Sequence, residues 1–339
     1  MVQLLKIRGV ISVAEEKRPK VSVILPSLNV KDYIKQCVDS VLNQSLKDIE
    51  ILCIDAGSDD GTLEILKEFA HKDERVHVFL SSKRSYGAQV NQGIHNAKGE
   101  YISIIETDDF IKEDMLKSLY DLSEFGYIDI VKSTFYHLYE ENGEQKIVMD
   151  KSKRNLSYPG TVFIAENIPL FLEGHPSIWA AIYKRSFLIN NNIKFIEEEG
   201  GGWVDNPFFY ETALKAKTIV YKNIPYYYYR ENNENSSTNN LKDLSIPVKR
   251  INDMFNILDD LNCEKIEVKE MLYKRLWRYI EIIIENNNNS QDNLDYKTVH
   301  MLNNVLQRVD KSYVKRLSTK ERQIYYKFIS PLILYQFNN

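Results

Sequence analysis

Three carboxylates stand together directly after an apolar run of this chain. The run Gly99-Glu-Tyr-Ile-Ser-Ile-Ile105 is rich in β-branched and aromatic residues and predicts a buried strand. It ends at Glu106-Thr-Asp-Asp109, whose acids would repel one another unless a positive charge lay among them. A hard divalent cation with oxygen ligands, completed by the phosphates of a substrate, is the simplest such charge. Acids before a helix also stabilise its first turn, so this segment alone leaves both interpretations open.

The elements around these acids indicate how they are held in place. Between residues 21 and 132, apolar strands alternate with amphipathic helices. This alternation predicts a doubly wound, mostly parallel sheet with flanking helices. Open α/β sheets bind ligands at the carboxyl ends of their strands, which is where the acids stand. The predicted strands are Val21–Leu25, Ile49–Ile54, Arg75–Leu80, Tyr101–Ile105 and Ile128–Val131, and the predicted helices are Lys31–Leu46, Gly87–Ala97 and Lys112–Ser123, with one more after Gly61.

The alternation stops near residue 155. Loops with glycine and proline then surround short apolar pieces, which is typical of an acceptor-binding region built from loops. Beyond the polar stretch 231–240 the pattern is helical, at 249–261, 268–285 and 296–309. We therefore predict an N-terminal extension over 1–19, a domain over 20–235 with a nucleotide-binding half (20–132) and an acceptor-binding half (133–235), and a C-terminal helical region over 241–339.

Composition and charge exclude several classes of protein. Of the 339 residues, 43% are hydrophobic and 27% are charged, as in ordinary soluble proteins, and a net charge of −4 gives no reason to expect nucleic-acid binding. No apolar run approaches the ~20 residues that span a bilayer, and the N-terminus lacks the apolar h-region of a secretory signal. Cys37, Cys53 and Cys263 have no CxxC spacing. We therefore expect buried free thiols in a reducing compartment, and hence a cytoplasmic protein.

Polar loops at successive strand ends carry the clearest functional signal. Neither GxGxxG nor GxxxxGK[ST] occurs in the chain. In their place stand Pro26-Ser-Leu-Asn29, Asp55–Thr62, Tyr86–Gly93 and Glu106–Asp109, followed by Asp205. In order and spacing these segments closely resemble the inverting family 2 glycosyltransferases of the GT-A fold. The resemblance covers about residues 20–235.

The resemblance implies a nucleotide-sugar donor, a divalent cation and direct displacement with inversion at the anomeric carbon. It places Pro26 and Asn29 under the nucleotide base, and Asp55 in an acidic pair that contacts the base. Ala56 occupies the second position of that pair, and this departure from the family pattern weakens the assignment of the base. UDP is the favoured nucleotide, with GDP and dTDP left open.

The same resemblance assigns roles to the acids after the fourth predicted strand. Asp108 would hold the ribose or sugar, and Asp109 would ligate the Mn²⁺ or Mg²⁺ that bridges the diphosphate. Glu106 stands where many relatives carry aspartate. Breaking a glycosyl–phosphate bond leaves charge on the diphosphate, which such a cation offsets as a Lewis acid.

Asp205 matches the catalytic base of the family. An acceptor hydroxyl is a poor nucleophile until a base removes its proton. The preceding glycines, Gly200–Gly202, let the backbone approach a substrate, and the aromatic residues around Asp205 exclude water. Asp205 would also cap a helix that begins near Pro207, and one residue can serve both purposes.

Several further residues allow two interpretations each. Trp179 and Trp203 are candidate platforms for a sugar ring or plain core residues, and His175 either binds a sugar hydroxyl or is structural. Arg230 either offers positive charge to the leaving diphosphate or is a surface arginine at the end of an edge strand.

The segment 311–328 is basic, with six Lys and Arg residues against a single Glu321 and with aromatic residues interleaved. Such a segment can rest on an anionic membrane that presents a lipid-linked acceptor. A packed helix with a solvated basic face, or a contact between two copies, explains the same pattern.

Taken together, the sequence predicts a glycosyltransferase that extends a surface polysaccharide, capsule or lipid-linked glycan, while the sugar, the acceptor and the oligomeric state are left open. A sugar nucleotidyltransferase would carry a glycine-rich loop with Arg and Lys after the first strand, which is absent. A polymerising synthase would carry transmembrane helices and a QxxRW motif, and the chain has neither. A non-catalytic glycan-binding or nucleotide-sugar-binding relative would lack the metal acids or the base.

Overall fold

The structure is a computed structural model that describes residues 18–124, 126–141, 144–153, 156, 161–199, 202–231, 241, 243–292 and 294–330. The predicted N-terminal extension therefore lies almost entirely outside the described residues. The same holds for the polar stretch 232–240 and for Gly200 and Gly201 before the candidate base.

The first half of the chain forms the predicted parallel sheet. The strands β1 to β4 lie in the spatial order β3-β2-β1-β4 and all neighbours are parallel. Every residue of β1 and β2 is buried, because helices cover both faces of this sheet. The elements are β1 (Val21–Ser27), α1 (Lys31–Leu42), β2 (Ile49–Asp55), α2 (Thr62–Lys72), β3 (Val76–Leu80), α3 (Tyr86–Asn96) and β4 (Tyr101–Ile104).

The second half adds longer, mixed strands to the same sheet. The complete order is β3-β2-β1-β4-β9-β6-β10-β5, with β7 paired to β6 and β8 paired to β10. β9 is antiparallel to both β4 and β6, whereas β10 runs parallel to β6. The elements are β5 (Phe110–Ile111), α4 (Met115–Leu122), β6 (Ile130–Glu141), β7 (Glu144–Met149), β8 (Val162–Phe163), β9 (Ala181–Lys184), α5 (Arg185–Asn190), α6 (Asp205–Lys215) and β10 (Ile219–Arg230), with 3₁₀ turns at Ala165–Asn167 and Pro169–Leu172.

The pairing of β10 brings a distant part of the chain to the predicted acids. Tyr228 lies opposite Phe110 of β5, directly after the acids, and Arg230 ends β10. β10 is paired on both sides, so the interpretation of Arg230 as a surface residue of an edge strand is wrong. Its side chain is only 8% exposed.

The C-terminal region is helical, as predicted. α7 packs on α6 and α9, and α8 packs on the 3₁₀ turn Pro169–Leu172, which places α8 against the second half of the sheet domain. The basic segment 311–328 is two helices, because Ser318 and Glu321 form a reciprocal capping box that starts a new helix. The helices are α7 (Ser245–Asp260), α8 (Ile266–Asn286), α9 (Tyr296–Leu306), α10 (Lys311–Val314) and α11 (Thr319–Ile329).

The three cysteines are buried free thiols, which confirms the interpretation that they act as small apolar residues. Among the helices in the described ranges, none is both long enough and apolar enough to cross a bilayer.

Candidate active site

A cleft of about 810 Å³ opens at the carboxyl edge of the parallel strands. Its floor comes from the ends of β1 and β4, one side from the start of α3, and the other side from the loop after Pro169–Leu172 and the start of α6. α8 completes the wall. The predicted site residues that line it are Pro26, Asp108, His175, Trp179, Trp203 and Asp205.

The two loops predicted to hold the nucleotide base are fastened to each other. Asn29 adopts a left-handed backbone conformation with φ at +53°, a region that asparagine tolerates well. Its Oδ1 accepts the N–H of Asp59 at 2.9 Å, and its own N–H donates to Ser58 Oγ at 3.0 Å. The carboxylate of Asp55 accepts the N–H groups of Gly57 and Ser58, each at 2.9 Å. Asp55 therefore shapes its own loop, and its contact with a base stays a prediction.

Glu106 lies deep in the cleft between two other acids. Tyr86 of α3 donates its hydroxyl to Glu106 Oε1 at 2.6 Å. Burial raises the pKa of Glu106 to about 8, the charges of Asp108 and Asp205 act in the same direction, and the hydrogen bond from Tyr86 opposes them. Glu106 and Asp205 both line the cleft, so acids from the two halves of the domain meet there.

Asp109 is not among the residues that line the cleft, and its role as the metal ligand stays a prediction. Its Oδ2 accepts the hydroxyl of Tyr227 at 2.7 Å and its Oδ1 accepts the N–H of Arg230 at 2.8 Å. Burial raises the pKa of Asp109 well above its usual range, and the charge of Asp108 adds to this. The N–H of Asp109 donates to the carbonyl oxygen of Glu106 at 3.1 Å and closes a turn, after which Asp108 borders the cleft and Asp109 anchors β10.

Arg230 is also a structural anchor in this arrangement. Its Nε donates to the carbonyl oxygen of Asp108 at 2.7 Å, and its two terminal nitrogens bond Glu140 and Gln36. The guanidinium does not line the cleft. A role at the leaving diphosphate would require Arg230 to exchange these partners, so that role stays a prediction.

The acids of the cleft fit a cation that is shared with a substrate. Within the described ranges, no group of three or more His, Cys, Asp and Glu side chains could hold a metal ion by itself. Mg²⁺ is usually held by one or two carboxylates together with substrate phosphates and water. Asp108 borders the cleft and can supply such a ligand, and the repulsion that Asp108 and Asp205 exert on Glu106 would fall when a cation binds among them.

Asp205 begins α6 and faces the same cleft. The N-cap position is Val204 and no side chain caps this helix, so the predicted capping by Asp205 is not observed. Asp205 Oδ1 accepts the side-chain amide of Asn206 at 3.1 Å. Burial raises the pKa of Asp205, and the charge of Arg275 opposes this. A carboxylate whose pKa is raised is a stronger base than an exposed aspartate, which suits a general base.

The predicted aromatic platforms are both packed and cleft-lining. Trp179 stacks on Tyr227 with ring centroids 4.0 Å apart and is only 3% exposed. Trp203 has a φ of +57°, which is rare for a bulky residue and stores strain at the cleft. His175 lines the cleft, and its Nδ1 accepts the N–H of Ser177 at 2.9 Å, which places the ring proton on Nε2.

Three basic side chains for which no sequence motif predicted a role hold the loop 172–177. Lys153 Nζ donates to the carbonyl oxygens of Glu173 and His175, at 2.8 and 3.0 Å. Lys132 Nζ donates to the carbonyl oxygens of Pro176 and Ser177. Burial lowers the pKa of Lys153 to about 7, and nearby Arg275 adds to this. These hydrogen bonds from Lys132 and Lys153 therefore hold the loop that carries His175 in place.

The third cation, Arg275, comes from α8 and approaches the loop from the other side. Its Nη2 donates to the carbonyl oxygens of Leu172 and Gly174, at 3.0 and 2.6 Å. In the sequence, only the helical spacing of the α8 residues that line the cleft could have indicated Arg275, because these residues form no known motif. These residues are Met271, Lys274, Arg275, Arg278, Tyr279 and Ile282.

Comparison with known proteins identifies the family. Residues 22–189 match glycosyl transferase family 2. The chain belongs to this family. GlyG of Streptococcus pneumoniae, a glycosyltransferase, is 38% identical over 124 residues, which cover 36% of this chain and 41% of GlyG. The poly(ribitol-phosphate) beta-glucosyltransferase of Bacillus spizizenii is 33% identical over 213 residues, 61% of this chain and 32% of the relative.

The fold of this family 2 member has a solved counterpart. The structure of S. aureus TarS in complex with UDP-GlcNAc superposes with a TM-score of 0.75 at 20% identity, covering 91% of this chain and 87% of that one. The fold is thus GT-A, as the sequence predicted. The chain spans less than half the length of GlyG and of the Bacillus glucosyltransferase.

Proposed function

We propose that this family 2 member is a metal-dependent, inverting glycosyltransferase that moves a sugar from a nucleotide sugar, UDP-linked by preference, to a hydroxyl of a glycan or lipid-linked acceptor in surface polysaccharide synthesis. The observation that carries the proposal is the meeting of Asp108 and Asp205 in one cleft. Support for a UDP-sugar comes from TarS, whose GT-A domain is similar and holds UDP-GlcNAc. The glucosyltransferase that acts on poly(ribitol-phosphate) supports a surface glycan as acceptor.

The chemistry of the proposal divides between the two sides of the cleft. On one side, Asp108 would hold a divalent cation shared with the donor diphosphate, and that cation would supply Lewis-acid stabilisation of the leaving group. On the other side, the Asp205 carboxylate accepts the proton of the acceptor hydroxyl. The acceptor oxygen forms a bond to the anomeric carbon while the bond from that carbon to the phosphate oxygen breaks. Attack from the face opposite the leaving group inverts the anomeric centre.

A thermal-shift panel tests the donor and the cation together. The panel contains UDP-glucose, UDP-galactose, UDP-GlcNAc, GDP-mannose and dTDP-glucose, each with Mn²⁺ and with EDTA. We expect one UDP-sugar at 100 times its dissociation constant to stabilise the protein by about 2.7 kcal/mol, and only with Mn²⁺. Equal stabilisation in EDTA would remove the metal dependence from the proposal. No stabilisation by any member of the panel would remove the donor site.

We also propose that the protein works in the cytoplasm and touches the inner face of the membrane through α10 and α11. The three buried free thiols suit a reducing compartment. The exposed side chains of α10, α11 and the turn between them include four cations together with Tyr326, a composition that favours anionic lipid surfaces. The cations are Lys311, Lys315, Lys320 and Arg322.

Replacing these four cations with glutamine is expected to weaken vesicle binding. Each basic residue near an anionic surface contributes about 1 kcal/mol, so even partial contact predicts a loss of roughly 10–100-fold in binding. The measurement is sedimentation with vesicles that contain phosphatidylserine, beside vesicles of phosphatidylcholine alone. The matched control replaces four exposed lysines elsewhere on the domain, namely Lys35, Lys67, Lys72 and Lys117. If both variants bind as the unmodified protein does, α10 and α11 are merely solvated.

A further inference from the structure

α8 belongs to the C-terminal helical region, yet it contributes a guanidinium to the surroundings of the candidate base. Arg275 is partly enclosed between the loop 172–177, the start of α6 and the ring of Tyr210, whose centroid lies 5.4 Å from Arg275 Cζ. Its Nη1 donates to Asn206 Oδ1 at 2.7 Å. Asn206 in turn donates its Nδ2 to Asp205 Oδ1 at 3.1 Å. A continuous chain of hydrogen bonds thus joins α8 to the carboxylate of Asp205.

The chemistry of arginine determines which atom donates and which accepts in each of these hydrogen bonds. A guanidinium donates hydrogen bonds and accepts none, so the side chain of Asn206 must present its oxygen to Arg275. The amide nitrogen of Asn206 must then face Asp205, where it can only donate. Asp205 Oδ1 is held by this donor, which leaves Oδ2 as the oxygen that meets an acceptor hydroxyl.

We propose that Arg275 is a positioning residue for transfer: through Asn206 it holds the Asp205 carboxylate in the orientation that receives the proton of the acceptor. This inference rests on the proposed function, in which Asp205 is the base. It gives the C-terminal helical region a role in the chemistry, because the site is incomplete without α8.

The same guanidinium fixes the opposite wall of the cleft. Arg275 Nη2 bonds the carbonyl oxygens of Leu172 and Gly174, so one planar group joins α8, the loop 172–177 and α6. A lysine keeps the positive charge but has a single nitrogen, which cannot reach three acceptors in this fixed geometry. The arrangement therefore calls for arginine specifically.

Arg275 also sets the electrostatic surroundings of Asp205. Its charge acts against the burial that raises the pKa of Asp205. Of the groups that face Asp205, Arg275 carries a permanent positive charge. The other titratable groups that face Asp205 are Tyr279 on α8, Glu106 after β4, Tyr86 on α3, Tyr183 on β9, Tyr229 on β10 and Lys132 on β6. Removing Arg275 should therefore move the acidic limb of the pH–rate profile to higher pH.

The test compares Arg275→Met and Arg275→Lys with the unmodified protein. The reaction measured is release of UDP from whichever UDP-sugar gives the largest stabilisation in the thermal-shift panel, with water as acceptor. We expect Arg275→Met to lower kcat by about 10–100-fold because the base loses its orientation, while donor affinity stays the same. Arg275→Lys should restore the position of the acidic limb but not the full kcat.

Two further variants separate positioning from a general loss of structure. Asn206→Ala removes the hydrogen bonds that link Arg275 to Asp205, while Arg275 keeps its bonds to the carbonyl oxygens of the loop 172–177. It should therefore lower kcat to a similar extent even if Arg275→Met folds poorly. Combining Arg275→Met with Asp205→Asn should cost no more activity than Asp205→Asn alone, because both act on one proton transfer.

A matched control is available in the turn after α9. Arg308 also joins helices through its guanidinium, with Nη1 on Asn252 Oδ1 at 2.7 Å and Nη2 on Asp259 Oδ2 at 2.6 Å, and it does not line the cleft. Arg308→Met should lower the melting temperature and leave kcat unchanged. If Arg275→Met and Asn206→Ala keep the unmodified kcat and pH profile while Asp205→Asn is inactive, the positioning role is overturned and the proposed function stands. If Asp205→Asn itself stays active, the proposed function fails first.

Discussion

Asp205→Asn is expected to lower the rate of sugar transfer by about 10²–10⁴-fold, the usual contribution of a general base. Asparagine keeps the size of aspartate and can still accept the Nδ2 bond of Asn206, but its amide binds no proton at neutral pH. Because Asp205 comes from the start of α6 and not from the loops after β1 and β4 that would hold the nucleotide, donor affinity should not change. Release of UDP and isothermal titration with the same UDP-sugar measure the two quantities.

The control for this change is another exchange of carboxylate for amide. Asp39 lies on α1, pairs with Lys35 on the protein surface and is remote from the cleft lining, so Asp39→Asn should retain full transfer. Unchanged turnover in Asp205→Asn would remove Asp205 as the base. A parallel loss of donor affinity and rate would instead place Asp205 among the groups that bind the donor.

The parallel half of the fold could be predicted because its signals are local. Apolar runs of about five residues separated by amphipathic helices leave few arrangements other than a parallel sheet. The carboxyl ends of β1, β2 and β4 then meet at one edge, which located the loops after Ser27, Asp55 and Ile104 before any coordinates. The family resemblance extended the same logic to the candidate base on α6.

The mixed half could not be predicted in the same way because its contacts are between distant segments. Nothing local indicates that β10 lies parallel to β6 and next to β5, which is the pairing that buries Arg230 behind Asp108. The same limit applies to α8. Its amphipathic pattern indicated a packed helix, but only the fold shows that Arg275 faces the cleft rather than solvent.

The different surroundings of the adjacent acids Asp108 and Asp109 could not be predicted from the sequence either. Asp108 and Asp109 are chemically identical, and family resemblance gave the metal to Asp109. Their difference arises from where the chain turns into β5: one side chain borders open space and the other meets the hydroxyl of Tyr227. A change of the same kind at each position can therefore separate the two roles.

Asp108→Ala is expected to abolish the stabilisation that Mn²⁺ and a UDP-sugar provide together, because it removes a carboxylate that borders the cleft. The free energy of unfolding without ligand should fall less than in the corresponding change at Asp109, since Asp108 lies at a partly open position. Thermal shift with and without Mn²⁺, together with urea unfolding, measures both effects.

Asp109→Ala should give the opposite pattern. It leaves the Tyr227 hydroxyl and the Arg230 N–H buried without their acceptor, and unpaired buried groups cost about 1–3 kcal/mol each, so the free energy of unfolding should fall by about 2–6 kcal/mol. The folded fraction should still be stabilised by Mn²⁺ with the UDP-sugar. If Asp109→Ala instead loses that stabilisation while Asp108→Ala keeps it, the cation belongs to Asp109 after all. The hydrogen bonds of Tyr227 and Arg230 would then have to open when the donor binds.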